Sequence, residues 1–309
     1  MTKRATRRVL ALTTGLALLS SCGNEDRSAD SAGDVLNVRT AFYPLQWVAE
    51  EVGGAAVNVE SLTPPGAEPH DLELTPQDVA AIGTADLVVY LTNFQSAVDE
   101  AVEQEAADTS FDAAEHTLLD LTYTPIEEGE EHADEQGIDP HFWLDPMRLA
   151  DVADALAERL GELDPDGVDT FTANAGHLRA SLDELDTDFA EGLAACESTD
   201  IVTSHNAFGY LAEAYGLTQV GITGLTPEEE PSAGDLAEVA DFVEENDVRT
   251  IYYETLVSPA IAEAVAAETG AKTAVLDPLE GLTDQSRGSD YLEVMRSNLD
   301  NLRAGQQCS

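Results

Sequence analysis

Three of the six histidines in this chain stand where a loop, rather than a core, would hold them. His70 lies in Pro64-Pro65-Gly66-Ala67-Glu68-Pro69-His70-Asp71. His141 lies in Asp139-Pro140-His141-Phe142-Trp143-Leu144-Asp145-Pro146, and His205 in Thr203-Ser204-His205-Asn206. Imidazole is a borderline-soft donor that suits Zn²⁺, and three imidazoles with one carboxylate close a tetrahedron. The carboxylate would come from Leu276-Asp277-Pro278-Leu279-Glu280-Gly281, where either Asp277 or Glu280 could serve. A ligating imidazole needs an acceptor on its other nitrogen, and Asp71 and Asp145 are the expected acceptors. Any one of these histidines also reads as an ordinary capping or hydrogen-bonding loop residue; their joint placement points to metal. The other three are weaker: His132 sits among Glu127, Glu128, Glu130 and Glu131 and could collect metal loosely, His177 falls off an apolar helical stripe, and His116 stands alone. A secreted zinc hydrolase is disfavoured, because four protein donors leave no position for a reactive water and neither His-Glu-x-x-His nor Gly-x-Ser-x-Gly occurs.

These residues must be brought together by elements far apart in the chain. Val35 to Ala41 alternates like a strand, and Pro44 to Val52 reads as a helix ended by Gly53-Gly54. Val57 to Leu62 is a second strand. Thr75-Pro76, with Asp78 following, opens a helix, and Asp86 to Leu91 is the short apolar run of a buried parallel strand. Leu118 to Leu121 is expected to be another strand, Glu127 to Gln136 a mobile acidic loop, and Pro146 to about Leu160 a helix. From Asp166 to Ala195, Val168, Phe171, Ala175, Leu178, Leu182, Leu185, Phe189 and Leu193 recur at steps of three and four, one face of a helix long enough to join two lobes. The second half repeats the grammar. Strands are expected over 200–203, 219–222, 250–253 and 273–276, and helices over 207–215, 232–246, 259–270 and 291–302. Strand–helix alternation of this kind makes α/β lobes, whose binding sites form beyond the carboxyl ends of the strands. His70 and His205 obey that rule directly.

Bulk properties narrow the class. The 309 residues suffice for two lobes, and 43% hydrophobic content supports a packed core. A net charge of −47, from 61 acids against 14 Lys plus Arg, excludes nucleic acid as a partner, since phosphate neutralisation needs clustered cations. The acidity itself reads as a solubility device, suited to a salty environment. Lys3, Arg4, Arg7 and Arg8 precede an apolar run from Val9 to Leu19, the layout of a secretory signal too short to span a bilayer. Leu19-Ser20-Ser21-Cys22 ends it like a bacterial lipobox, implying cleavage before Cys22 and its lipidation. Residues 1–22 are thus expected to be a lipoprotein signal and 23–34 a flexible tether. In an oxidising compartment the remaining Cys196 and Cys308 suggest a disulfide, worth roughly 4–5 kcal/mol for so long a loop.

Taken in order, several motifs resemble the zinc and manganese receptors of bacterial ABC importers: Pro69-His70-Asp71 with Leu74-Thr75-Pro76, the Asp139–Pro146 stretch, Ser204-His205-Asn206-Ala207-Phe208-Gly209-Tyr210, Tyr253-Glu254-Thr255-Leu256-Val257-Ser258-Pro259 and Asp277-Pro278-Leu279-Glu280-Gly281-Leu282. The resemblance spans Val35 to Leu302. It implies two parallel-sheet α/β lobes (35–165 and 196–309) joined by one long rigid helix (166–195), with metal held in the cleft between them. It implies His70, His141 and His205 as ligands, with Glu280 in preference to Asp277. Manganese members tend to use two histidines and two carboxylates, so His205 tilts the expectation to Zn²⁺, with Mn²⁺ or Fe²⁺ as the alternative cargo. The implied partners are an ABC permease and its ATPase, and the implied site of action is the outer face of the cytoplasmic membrane, for a monomer anchored through Cys22. A metal-dependent adhesin is the remaining rival. Zinc members often carry a His-rich loop before the second ligand; here that loop is short and dominated by Glu.

Overall fold

The computed structural model describes residues 35–123, 137–227 and 229–309. The expected signal peptide, Cys22, the tether, the acidic run and His132 lie outside these residues.

Two four-stranded sheets, all parallel, form the frame. The first has β1 (Leu36–Thr40), β2 (Val57–Ser61), β3 (Leu87–Tyr90) and β4 (Ser110–Asp112) in the order β2-β1-β3-β4. The second has β5 (Asp200–Thr203), β6 (Thr218–Gly221), β7 (Thr250–Tyr253) and β8 (Lys272–Val275) in the order β6-β5-β7-β8. Each sheet therefore reverses its direction of growth at its first strand, and such a switch point opens a crevice at the carboxyl edge. The segments carrying His70, His205 and Glu280 follow β2, β5 and β8 from that edge. Leu87, Val88 and Val89 are wholly buried, as a run apolar on both faces must be.

Helices cover the sheets: α1 (Tyr43–Gly53), α2 (Pro76–Ile82), α3 (Ser96–Glu105), α4 (Pro146–Leu163), α5 (Val168–Leu193), α6 (Gly209–Tyr215), α7 (Ala233–Glu245), α8 (Ala260–Thr269) and α9 (Tyr291–Gly305). Local chemistry explains where several begin. Thr75 caps α2 and Ser232 caps α7, each in a reciprocal capping box, with Asp78 and Asp235. Asp145 caps α4 by accepting from the backbone N–H groups of Met147 and Arg148, ahead of Pro146.

The 26 residues of α5 span about 39 Å at the usual rise. Its buried stripe runs from Phe171 through Leu182 to Leu193 and packs on α1 and α4 from the first half and on α6 and α9 from the second. Val168, expected on that stripe, is instead 42% exposed in the first turn. A single hydrophobic core runs from Val38 and Phe42 through Phe171 and Phe189 to Leu276, Leu279 and Met295, and a smaller one fills the space between the second sheet and α7 and α8. Cys196 and Cys308 form a disulfide that ties the chain just after α5 to the chain just after α9.

The structure departs from the sequence expectation in the first lobe. Leu118 to Leu121 is not a strand. The fourth position of the sheet is taken earlier, by β4, and Leu121 instead flanks an isolated antiparallel bridge between Thr122 and Ile138. The intervening α3 carries only small apolar residues (Val98, Ala101 and Val102) on its buried side, which is why it leaves little periodic signal.

Candidate metal centre

Four loops converge on one buried point. His70 arrives on the long connection from β2 to α2. Gln95, itself buried, fixes this loop by donating to Thr63 Oγ1 and to the Pro69 carbonyl, both at 3.0 Å. Glu68 folds back to accept from the backbone N–H groups of His70 and Asp71. The edge of Phe94 meets the His70 ring, centroids 4.5 Å apart.

His141 stands just ahead of a short 3₁₀ turn, Phe142–Leu144, whose three side chains are completely buried. Asp139 Oδ1 lies 2.9 Å from the His141 backbone N and 2.7 Å from its Nδ1. An ionised carboxylate can only accept, so Nδ1 carries the proton and Nε2 faces inward. His205 follows β5. Its carbonyl accepts from Thr203 Oγ1 and Gln219 Nε2, and its Nδ1 lies 2.8 Å from Glu254 Oε1, at the end of β7. The same tautomer results. These acceptors differ from the ones expected. Asp145 is engaged in capping α4, and Asp71 is exposed, bonded through its backbone to Glu68. Asp139 and Glu254 take their place.

Glu280 is carried by a turn that every neighbour restrains. Leu279 adopts φ 60°, an unusual conformation for a bulky residue. Asp277 Oδ1 accepts from the Leu279 N–H, while Asp277 Oδ2 accepts from Thr255 Oγ1 and Ser286 Oγ. Asn298 accepts from the Asp277 N–H and donates to its carbonyl, and Trp143 Nε1 donates to the Pro278 carbonyl at 2.7 Å. Tyr291 in turn donates to the Trp143 carbonyl. Both oxygens of Asp277 are thus consumed in shaping the turn, whereas Glu280 is free to face the histidines.

Glu280 Oε1 lies 3.4 Å from His70 Nε2, 3.2 Å from His141 Nε2 and 3.2 Å from His205 Nε2. One donor atom from each of the four residues falls within 4.8 Å of all the others, the one such group among the described residues that could hold a metal ion. Two donors each 2.0–2.1 Å from a tetrahedral Zn²⁺ are separated by roughly 3.3 Å, close to the Glu280–imidazole distances, and the set as a whole, within 4.8 Å, would contract on binding. Two further observations fit a cation. His141 Nε2 and Glu280 Oε2 are buried with no hydrogen-bond partner, a costly condition that coordination would relieve. Three carboxylates, Glu280, Asp139 and Glu254, also surround three imidazoles in a site with almost no solvent contact.

The titration behaviour follows from this crowding. Burial favours neutral His70 and lowers its pKa, although Glu280 opposes the shift. Burial acts likewise on His141, but the hydrogen bond to Asp139 and the charges of Asp139 and Glu280 outweigh it and raise the net value. His205 is raised well above its ordinary value, burial being overcome by Glu254 and Glu280. Glu280 is held well below the ordinary carboxylate range, burial being overcome by His205, His70 and His141. Burial, then the charge of Glu280, pushes Glu68 up to about 7.

Residues 38–305 match the family model described as the periplasmic zinc-uptake complex component A. The chain belongs to the zinc-uptake complex component A family. That family is the solute-binding receptor part of zinc-uptake systems and not a class of enzymes. Among its relatives, the high-affinity zinc uptake system protein ZnuA of Bacillus subtilis is 36% identical over 93% of this chain and 93% of its own length. The zinc-binding lipoprotein AdcA of Streptococcus pneumoniae is 38% identical over 92% of this chain, which spans only 58% of that longer protein. The crystal structure of the Zn(II)-bound ZnuA-like domain of the same AdcA superposes with a TM-score of 0.73 at 37% identity, covering 88% of this chain and 98% of that one. The two parallel-sheet lobes are the architecture of this zinc-uptake family, and the chain, like its periplasmic and lipoprotein relatives, is exported. No helix among the described residues is long and apolar enough to cross a membrane. Outside the cluster, His177 is exposed on α5 and His116 stacks on Phe111 with ring centroids 4.4 Å apart.

Proposed function

We propose that the chain captures Zn²⁺ through the Nε2 atoms of His70, His141 and His205 and the carboxylate of Glu280, and hands it to the permease and ATPase of an ABC importer. The observation that carries this reading is the convergence of three imidazole Nε2 atoms on one carboxylate oxygen at 3.2–3.4 Å, in a buried pocket. Three nitrogens and one oxygen favour Zn²⁺ over Mn²⁺, which prefers oxygen-rich shells. Two of the imidazoles are held through Nδ1 with Nε2 facing inward before metal arrives, so binding requires little reorientation of their rings. The zinc-bound state of the AdcA domain supports the same cargo.

The receptor acts as a monomer on the outer face of the cytoplasmic membrane, anchored through a lipid on Cys22 and reached across the tether at 23–34. Residues 166–195 join a lobe at 35–165 to one at 196–309. The test is competitive titration of the purified protein with Zn²⁺ and Mn²⁺ against a chromophoric chelator. One Zn²⁺ per chain, bound more tightly than Mn²⁺ and lost in His141→Ala, is expected. No bound zinc, or equal affinity in that variant, would overturn the assignment. Zinc-dependent growth of cells lacking the chain separates import from adhesion.

A further inference from the structure

The segment that begins with His205 ends in Ala207-Phe208-Gly209-Tyr210. Its last two residues reach to the residue that orients His141. Tyr210 is completely buried at the start of α6, and its hydroxyl donates to the Asp139 carbonyl at 3.0 Å. The same oxygen accepts from the Leu121 N–H at 3.4 Å. Asp139 N donates in turn to the Leu121 carbonyl at 2.9 Å, so one phenol binds both sides of the ribbon that delivers Asp139. Burial pushes this hydroxyl up to about 12, keeping it a donor. Arg148 covers the ring, 4.5 Å from its centroid, and is itself fixed by Asp145 and Glu213.

Gly209 adds a steric condition. A Cβ there would approach Asp139 Oδ2 closer than any real Cβ contact, with Asp139 Cγ at 3.6 Å and Leu121 Cδ1 at 3.5 Å. Its φ is not of the left-handed kind, so the glycine is explained by close approach and not by backbone conformation. Asp139 has little room to retreat, because its other oxygen holds both the backbone N and the Nδ1 of His141.

We propose that Gly209 and Tyr210 are positioning residues for His141: together they seat Asp139, which fixes the imidazole. One short segment, 205–210, then places two of the four donors, one directly and one through a relay into the first half of the chain. This rests on the ligand assignment proposed above.

The test is a set of zinc affinities for the purified full chain carrying Gly209→Ala, Tyr210→Phe, His141→Ala and the double variant Gly209→Ala/His141→Ala, with the visible spectrum of the Co²⁺-substituted forms. Outer-shell partners typically contribute 10–100-fold to metal affinity. Gly209→Ala is expected to lose affinity in that range and Tyr210→Phe about tenfold, both with an altered Co²⁺ ligand-field spectrum that a purely structural defect would not produce. In the His141→Ala background Gly209→Ala should cost nothing further, the signature of one pathway. Should His141→Ala weaken binding while Gly209→Ala and Tyr210→Phe leave affinity and spectrum unchanged, or should the Gly209 effect persist without His141, the relay is wrong and the ligand assignment stands. If His141→Ala itself has no effect, the ligand assignment falls first. Tyr210→Phe removes a single oxygen, so the test survives if Gly209→Ala fails to fold.

Discussion

The two sides of the proposed metal centre are built differently. His141 and His205 are at most 1% exposed, and each sets its Nδ1 against a buried carboxylate. His70 is 8% exposed at its side chain, sits in a loop punctuated by Pro64, Pro65, Gly66 and Pro69, and meets an aromatic edge where the others meet an acid. One wall is therefore prearranged for a cation and electrostatically primed, and the other is held by loop geometry and packing. Burial also decides the sign of the difference in protonation: it prevails at His70, whose pKa falls, but loses to the carboxylates at His141 and His205, whose values rise.

The largest consequence concerns removal of the donors themselves. Zinc sites with four protein donors bind with about 10–16 kcal/mol, or roughly 3–4 kcal/mol per donor, which is a factor of about 10²–10³ each. His205→Ala should lie at or beyond the upper end, because it strands Glu254 as a buried acid and takes from Glu280 one of its three imidazole neighbours. His70→Ala should lie at or below the lower end, because water can fill a position near solvent. Competition titrations giving equal losses for the two would erase the distinction between the walls.

A smaller effect separates the acids behind the rings. Glu254→Gln weakens the hold on His205 and should reduce zinc affinity about 10–100-fold. Glu68→Gln should change it less than about threefold, since an amide oxygen can still accept from the His70 N–H and no imidazole nitrogen is involved. A larger effect at Glu68 than at Glu254 would reverse the ranking.

The pH dependence sharpens the same contrast. With metal absent, a raised His205 pKa contributes stability that is present below its ordinary value of 6.5 and lost as pH rises through the folded value. A depressed Glu280 contributes stability that is present above 4.5 and lost as pH falls through its folded value. The metal-free cluster therefore favours folding most between these two ordinary values. On the proposed ligand set zinc must displace the protons on His205 and His141, so its affinity should rise from pH 6 to 8, by up to about tenfold per unit for each proton displaced. Calorimetry in buffers of different ionisation enthalpy counts these protons. Release should fall in Glu254→Gln, whereas Glu68→Gln should remove at most the fraction of a proton that Glu68, pushed up to about 7, gives up when zinc offsets the charge of Glu280.

Much of this site is legible in the chain because three of its four proposed donors are histidines, of which the chain has six against 61 acids, and they fall in loops marked by Pro and Gly. Glu280 is separable from Asp277 only in three dimensions, where both Asp277 oxygens are committed to the turn. The acceptors were harder to read. Glu254 reaches His205 across 49 residues because β5 and β7 are neighbours, although they are not consecutive in the chain. Asp145 is an attractive acceptor by position, but an acid before Pro146 is also a helix cap, and that demand prevails. The same holds for the elements. The continuous stripe of α5 announces itself, whereas α3 and the three-residue β4 bury too few large side chains to mark the sequence.

The least effect is expected from the surface. A net charge of −47 makes the folded chain repel itself, and salt screens that repulsion within about 10 Å at 0.1 M. The thermal midpoint of the metal-free protein should therefore climb as NaCl is raised towards 1 M, while zinc affinity at the buried cluster changes little. A fall in the midpoint would place the stabilising charge interactions at the surface instead.

X-ray absorption at the zinc edge, on the chain loaded with one equivalent of Zn²⁺ at pH 7.5, addresses the donor set itself. Three imidazole nitrogens and carboxylate oxygen at 2.0–2.2 Å are expected, with the imidazole contribution reduced by one ring in His70→Ala. A shell dominated by oxygen, or one unchanged in that variant, would contradict the assignment of His70, His141, His205 and Glu280 to a common metal.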